Sequence, residues 1–107
     1  MKPVGIHSFA ISCSLGTDKQ DIWDSICDNK QNSMQLNTTY LDGESTYIGK
    51  IQETLPQLEL KYSDYNFYAN QLLLFTFKKI QKQYQKLIKN TPSHRIGIIL
   101  GTSTAGV

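Results

Sequence analysis

The sequence predicts an α/β fold in which helices layer on a sheet. Three observations predict it. Elements follow one another as strand, helix, strand, long helix, strand along 107 residues. Ile96, Ile98, Ile99 and Leu100 form a nearly unbroken apolar run near the end, the pattern of a strand covered on both faces. Ala69, Leu73, Phe77, Ile80, Tyr84 and Leu87 step by four, four, three, four and three, the stripe of a helix that buries one side. Strands and helices in that order satisfy one another by stacking in layers.

The first element expected is a strand over Val4–Ser12, carried by the apolar residues Val4, Ile6, Ala10 and Ile11 and by β-branched side chains that suit a pleated surface. Leu15-Gly16 turns the chain. Thr17-Asp18-Lys19-Gln20 reads as a capping box, with the Thr17 hydroxyl accepting from the amide of Gln20. A helix then runs to about Asp28, its apolar face made by Ile22, Trp23, Ile26 and Cys27, with Asp18 and Asp21 in the first turn where the dipole favours negative charge. The polar stretch 29–45 is expected as a surface excursion. Thr46–Ile51 is a short strand, and 55–60 is irregular around Pro56. The long helix is expected from about Asp64 to Lys89, capped by Ser63. Leu72, Leu74, Phe75 and Ile88 widen its stripe, and Thr91-Pro92-Ser93 ends it. Arg95–Leu100 is the closing strand. Three strands and two helices make a thin layered domain, with an open sheet edge.

Composition narrows the function. A length of 107 residues allows one modest core, and 39% hydrophobic against 19% charged residues argues against disorder. A net charge of +2 gives no case for nucleic acid. The basic residues between Lys78 and Lys89 are expected to spread over a solvated helix face. No apolar run reaches the roughly 18 residues of a membrane span. Met1-Lys2-Pro3 leads into an apolar stretch broken by His7 and Ser8, without an export cleavage site. The two cysteines make no disulfide framework, so a cytoplasmic protein with reduced thiols is expected.

Few residues offer chemistry. Gly101-Thr102-Ser103-Thr104-Ala105-Gly106 has the glycines and hydroxyls of an anion loop, but the P-loop lysine is missing and no helix follows. A tight buried turn is the expectation. Cys13 has no basic or histidine neighbour in sequence to activate it. Cys27 lies on an apolar helix face, and both are expected as small buried residues. His7 and His94 are far apart and lack neighbours at ligand spacing, so no metal site is expected. Asp42, Glu44 and Asp64 form no recognisable acid pair. Tyr62, Tyr65, Phe67 and Tyr68, with Asn66 and Asn70, are expected in a core or a subunit interface.

With these residues laid out, the chain resembles the N-terminal segment of a β-ketoacyl-acyl-carrier-protein synthase. Val4-Gly5-Ile6 through Ser14-Leu15-Gly16 is similar to that family's opening strand and its Ser-Pro-Leu-Gly turn. Asp21-Ile22-Trp23-Asp24-Ser25-Ile26 is similar to the helix that follows. Arg95 through Val107 is similar to its strand and Gly-Ser/Thr loop, the most specific of the three. The resemblance spans residues 1–107 as one segment and well under half of the usual family length. It implies part of the first half of a thiolase-like layered fold, the beginning of an acyltransferase, usually homodimeric, that works with an acyl carrier protein. Such enzymes condense an acyl thioester with a malonyl thioester and release carbon dioxide, in fatty-acid or polyketide-like synthesis. A cysteine takes the acyl group, and two histidines, or a histidine and an asparagine, assist decarboxylation. In the family these residues lie after the Gly-Thr-Ser loop, so the chain alone is expected to lack catalytic residues and activity, with no cofactor and no metal. Only the loop carries over a site: Gly101, Thr102, Ser103, Thr104 and Gly106 would approach the acyl pocket or the dimer interface. Thr104 stands where an apolar residue often lines that pocket. Ser14 replaces the family's usual proline, and Tyr68-Ala69 stands where an Arg-Asn pair is common. The alternatives are a non-catalytic synthase-like interaction protein and the product of a truncated gene, inactive for want of the remaining residues.

Overall fold

The computed structural model of the chain describes residues 2–28 and 34–102. The described residues form a mixed α/β arrangement, as the sequence predicts, with a single two-stranded antiparallel sheet among them. The chain divides into two compact units, one formed by Ile11–Thr54 and the other by residues 2–10 together with 55–102.

In the unit Ile11–Thr54, a tight turn comes first. The Cys13 amide donates to the Gly16 carbonyl at 2.9 Å, and the Gly16 amide returns a bond to Cys13 at 3.1 Å. Gly16 has φ +154°, a backbone conformation that residues other than glycine rarely adopt. Helix α1 spans Lys19–Cys27. Its N-cap is Asp18, one residue beyond the Thr17 expected: Asp18 Oδ1 accepts from the Gln20 amide at 2.9 Å. Thr17 instead donates its hydroxyl to Glu53 Oε1 at 2.7 Å. Ser25 Oγ donates to the Leu15 carbonyl at 3.3 Å. Ile22, 7% exposed, is the only hydrophobic residue buried among the described residues.

The stretch read as a polar excursion contains a hairpin. Strand β1, Met34–Leu41, pairs with β2, Glu44–Gly49, through the turn Asp42-Gly43, where Gly43 has φ +83°. Asp-Gly with positive φ is the chemistry of a two-residue hairpin. The expected strand 46–51 therefore lies earlier, at 44–49. Pairing runs from Met34 opposite Gly49 to Asn37 opposite Thr46, then breaks, and resumes at Leu41 opposite Glu44. The break leaves extra residues on β1 as a bulge. Asn37 Oδ1 accepts there from the amides of Thr39 at 2.8 Å and Tyr40 at 3.2 Å, which satisfies donors the ladder has lost. At the hairpin's open end, a Cβ on Gly49 would stand 2.7 Å from Ser14 Oγ, so the turn and β2 meet where only glycine fits.

In the other unit, residues 2–10 form no strand. Val4 and Ile6 are 94% and 87% exposed. The long helix expected from Asp64 is three pieces. A 3₁₀ segment, Leu60–Tyr65, is interrupted at Tyr62. Helix α2 spans Tyr68–Lys78 and α3 spans Gln81–Asn90. The joint has a local cause. Thr76 Oγ1 donates to the Leu72 carbonyl at 2.8 Å, a back-bond that bends helices. The amides of Lys79 and Ile80 then reach Thr76 and Phe77, each three residues back, tightening the turn. The apolar stripe survives the bend: Phe77 and Tyr84 meet edge to face with ring centroids 5.4 Å apart. No residue of α2 or α3 is fully buried.

Candidate functional site

The candidate site is the loop at Gly101, and the chain approaches it in steps. Helix α3 ends at Asn90, and Thr91 turns extended (φ −135°, ψ 129°) ahead of Pro92, as the residue before proline must. A short 3₁₀ turn, Ser93–Arg95, follows, closed by amides of Arg95 and Ile96 donating to Pro92 and Ser93. Ile96 then adopts β-region backbone (φ −108°, ψ 124°). The expected closing strand does not form: residues 96–100 join no sheet among the described residues. Nor is the run covered, with Ile98, Ile99 and Leu100 at 63%, 97% and 64% exposure. A strand covered on both faces needs neighbouring strands and flanking helices to cover it, and no strand among the described residues pairs with this segment.

Gly101 and Thr102 are exposed and lie outside any helix or strand, and a Cβ on Gly101 would meet nothing within 4 Å. The tight buried turn expected here is thus absent at its first two positions. Ser103, Thr104 and Gly106 lie outside the described residues.

The other candidates stay apart. Cys13 is half-buried in its turn, and Cys27 is exposed at the end of α1, against the burial expected of it, because α1 turns Ile22 rather than Cys27 inward. His7 and His94 are both exposed. No group of three or more His, Cys, Asp or Glu residues among the described residues could hold a metal ion. No described helix is long and apolar enough to cross a membrane. Lys61, exposed, has its ammonium held above its ordinary value by its hydrogen bond to Glu59 and then by that carboxylate's charge.

The aromatic group expected in a core or interface is solvent-facing in this chain: Tyr62, Tyr65, Phe67 and Tyr68 are all exposed. What is built among them is an amide node. Asn66 Oδ1 accepts from the Leu58 amide and from Gln71 Nε2, each at 3.0 Å, while its Nδ2 donates to Gln57 Oε1. Asn70 Nδ2 donates to the Tyr65 carbonyl at 2.8 Å. The node ties the segment around Pro56 to the start of α2, where no side-chain cap serves Phe67. Its sequence signal was the Asn66, Asn70 and Gln71 grouping just ahead of an apolar stripe.

The placed residues define a mixed α/β chain with an exposed apolar segment leading to an exposed glycine–threonine pair. No family model, no curated protein and no solved structure matches it.

Proposed function

We propose that the chain is the N-terminal portion of a 3-oxoacyl-acyl-carrier-protein synthase, in which Ile96–Leu100 is an inner strand of a thiolase-like sheet and the Gly101 loop approaches the acyl pocket. The observation that carries this reading is the mismatch at Ile98, Ile99 and Leu100: a core-strand pattern that this chain leaves exposed. The exposed Val4 and Ile6 repeat that mismatch in the segment likened to the family's opening strand. Remaining polypeptide of the enzyme, and a second subunit, would supply the covering layers. Such an enzyme joins an acyl and a malonyl thioester with loss of carbon dioxide, and an acyl carrier protein presents the substrates. The cysteine and histidines for that chemistry would lie beyond Val107, so the chain alone is inactive.

Sequencing the gene past the Val107 codon tests this. An open frame encoding a cysteine nucleophile and then two histidines is the expected result. A stop codon directly after Val107, or measurable condensation by the purified 107-residue chain, would overturn it. A second reading, a non-catalytic interaction protein, is favoured by the exposed group Tyr62, Tyr65, Phe67 and Tyr68, since tyrosine-rich surfaces suit interfaces. Under that reading the frame closes early and the aromatic face retains a protein partner.

A further inference from the structure

The net charge of +2 conceals a division that follows the two compact units. The unit containing α2 and α3 carries Lys2, Lys61, the five lysines from Lys78 to Lys89 and Arg95 against only Glu59 and Asp64, a net +6. The unit Ile11–Thr54 carries seven carboxylates against Lys19, Lys30 and Lys50, a net −4. No acidic residue follows Asp64. Within the basic unit the charge is ordered. Lys82, Lys86 and Lys89 stand at i, i+4 and i+7 on α3, one face of the helix, and all three are exposed. Gln83, Gln85 and Asn90 flank them, also exposed, while Tyr84 and Leu87 turn to the opposite side and are half-buried.

Local helix energetics account for Lys89, in the last turn of α3 where the dipole favours a cation, but not for the other two lysines. Lys82 sits in the first turn of α3, where the helix dipole disfavours a cation. Lys82 and Lys86 are a like-charge i, i+4 pair, which also destabilises. We propose that this face of α3 binds the phosphate backbone of double-stranded DNA. The inference goes beyond the condensing-enzyme reading and does not depend on it.

Three partners present negative charge, and the face discriminates between them. An acidic protein would offer separate carboxylates, and exposed ion pairs of that kind contribute little. An anionic membrane is entered by an apolar face opposite the lysines, but here Tyr84 and Leu87 on that face are half-buried, Tyr84 against Phe77 with ring centroids 5.4 Å apart. A nucleic-acid duplex releases condensed counterions for each phosphate neutralised, so a short row of lysines gains far more there. Amide side chains beside the lysines are further donors to phosphate oxygens. Helix α3, about 10–12 Å across, matches the roughly 12 Å major groove of B-form DNA, whereas the deep, narrow major groove of A-form RNA would exclude it.

Fluorescence anisotropy of the full chain with a labelled 20-base-pair DNA, titrated from 50 to 200 mM salt, tests the proposal. Three phosphate contacts give a log–log salt slope of about −2.7, and so about a 40-fold loss of affinity across that range. The triple variant Lys82→Gln, Lys86→Gln, Lys89→Gln keeps helix propensity and should move the slope toward zero by about 2.7. Lys19→Gln with Lys50→Gln, in the acidic unit, should leave it unchanged. No binding at 50 mM salt, a triple variant that binds like the parent, equal affinity for an RNA duplex, or binding only to phosphatidylserine-containing vesicles would each overturn it.

Discussion

Replacing Ile22 by alanine tests where this chain keeps its core. The substitution removes three carbon groups at about 0.8 kcal/mol each when fully buried. At 7% exposure, Ile22→Ala should therefore cost about 2.2 kcal/mol. Ile26, on the same helix, is 57% exposed, so Ile26→Ala should cost about 1 kcal/mol. The cavity contribution should be small, because the half-exposed neighbours of Ile22 can settle into the space. Trp23, the only tryptophan, sits between them in sequence and reports on α1 by its fluorescence. In a urea titration with a slope of about 1 kcal/mol/M, the midpoint should fall by about 2 M for Ile22→Ala and half that for Ile26→Ala, or the Ile22→Ala transition should vanish. Equal shifts for the two variants, or no shift for Ile22→Ala, would refute the claim that Ile22 anchors α1.

Three further outcomes are expected. Gly49→Ala places a methyl group 2.7 Å from Ser14 Oγ and 2.8 Å from Ser14 Cβ and should lower stability by about 1–3 kcal/mol, as overpacking does; the double variant Gly49→Ala, Ser14→Gly, which removes both atoms, should recover part of the loss in the same urea titration. Asp18→Ala removes the α1 cap and should cost about 1 kcal/mol, with a fall in helical circular dichroism that Thr17→Ala does not reproduce. Ile99→Lys, at a site 97% exposed, should change stability by less than about 0.5 kcal/mol while reducing self-association in light scattering; a larger loss would mean that Ile99 is covered.

The sequence made legible what is decided locally. The course of α1 follows from the Ile22–Ile26 spacing, although its cap is Asp18 rather than the expected Thr17, and the end of α3 follows from Pro92. The hairpin was equally local, since Asp42-Gly43 is its turn and Met34 and Leu36 alternate along β1. It was missed because Asn, Gln, Ser and Thr around it lower the hydropathy that marks a strand. The joint between α2 and α3 was illegible for another reason. No proline or glycine marks it, and the Thr76 back-bond that accompanies it is one of two rotamers open to any helical threonine. Of the loop read as a site, Gly101 and Thr102 are exposed, and their role rests on resemblance rather than on any geometry they share with other side chains.

The expected strands at 4–12 and 95–100 separate two things that a sequence pattern joins. Branched apolar residues at close spacing state a preference for extended backbone and a preference for burial. Ile96 meets the first with its β-region dihedrals. The second depends on polypeptide elsewhere, because each face of a strand is buried only by what lies against it. An exposed Ile98-Ile99-Leu100 run is a costly surface for a protein to carry, and natural chains keep such edges short, charged or covered. Nothing charged interrupts this one between Arg95 and Thr102. Under the synthase reading the cover for this run comes from the rest of the enzyme, whereas the interaction reading rests on the exposed Tyr62, Tyr65, Phe67 and Tyr68.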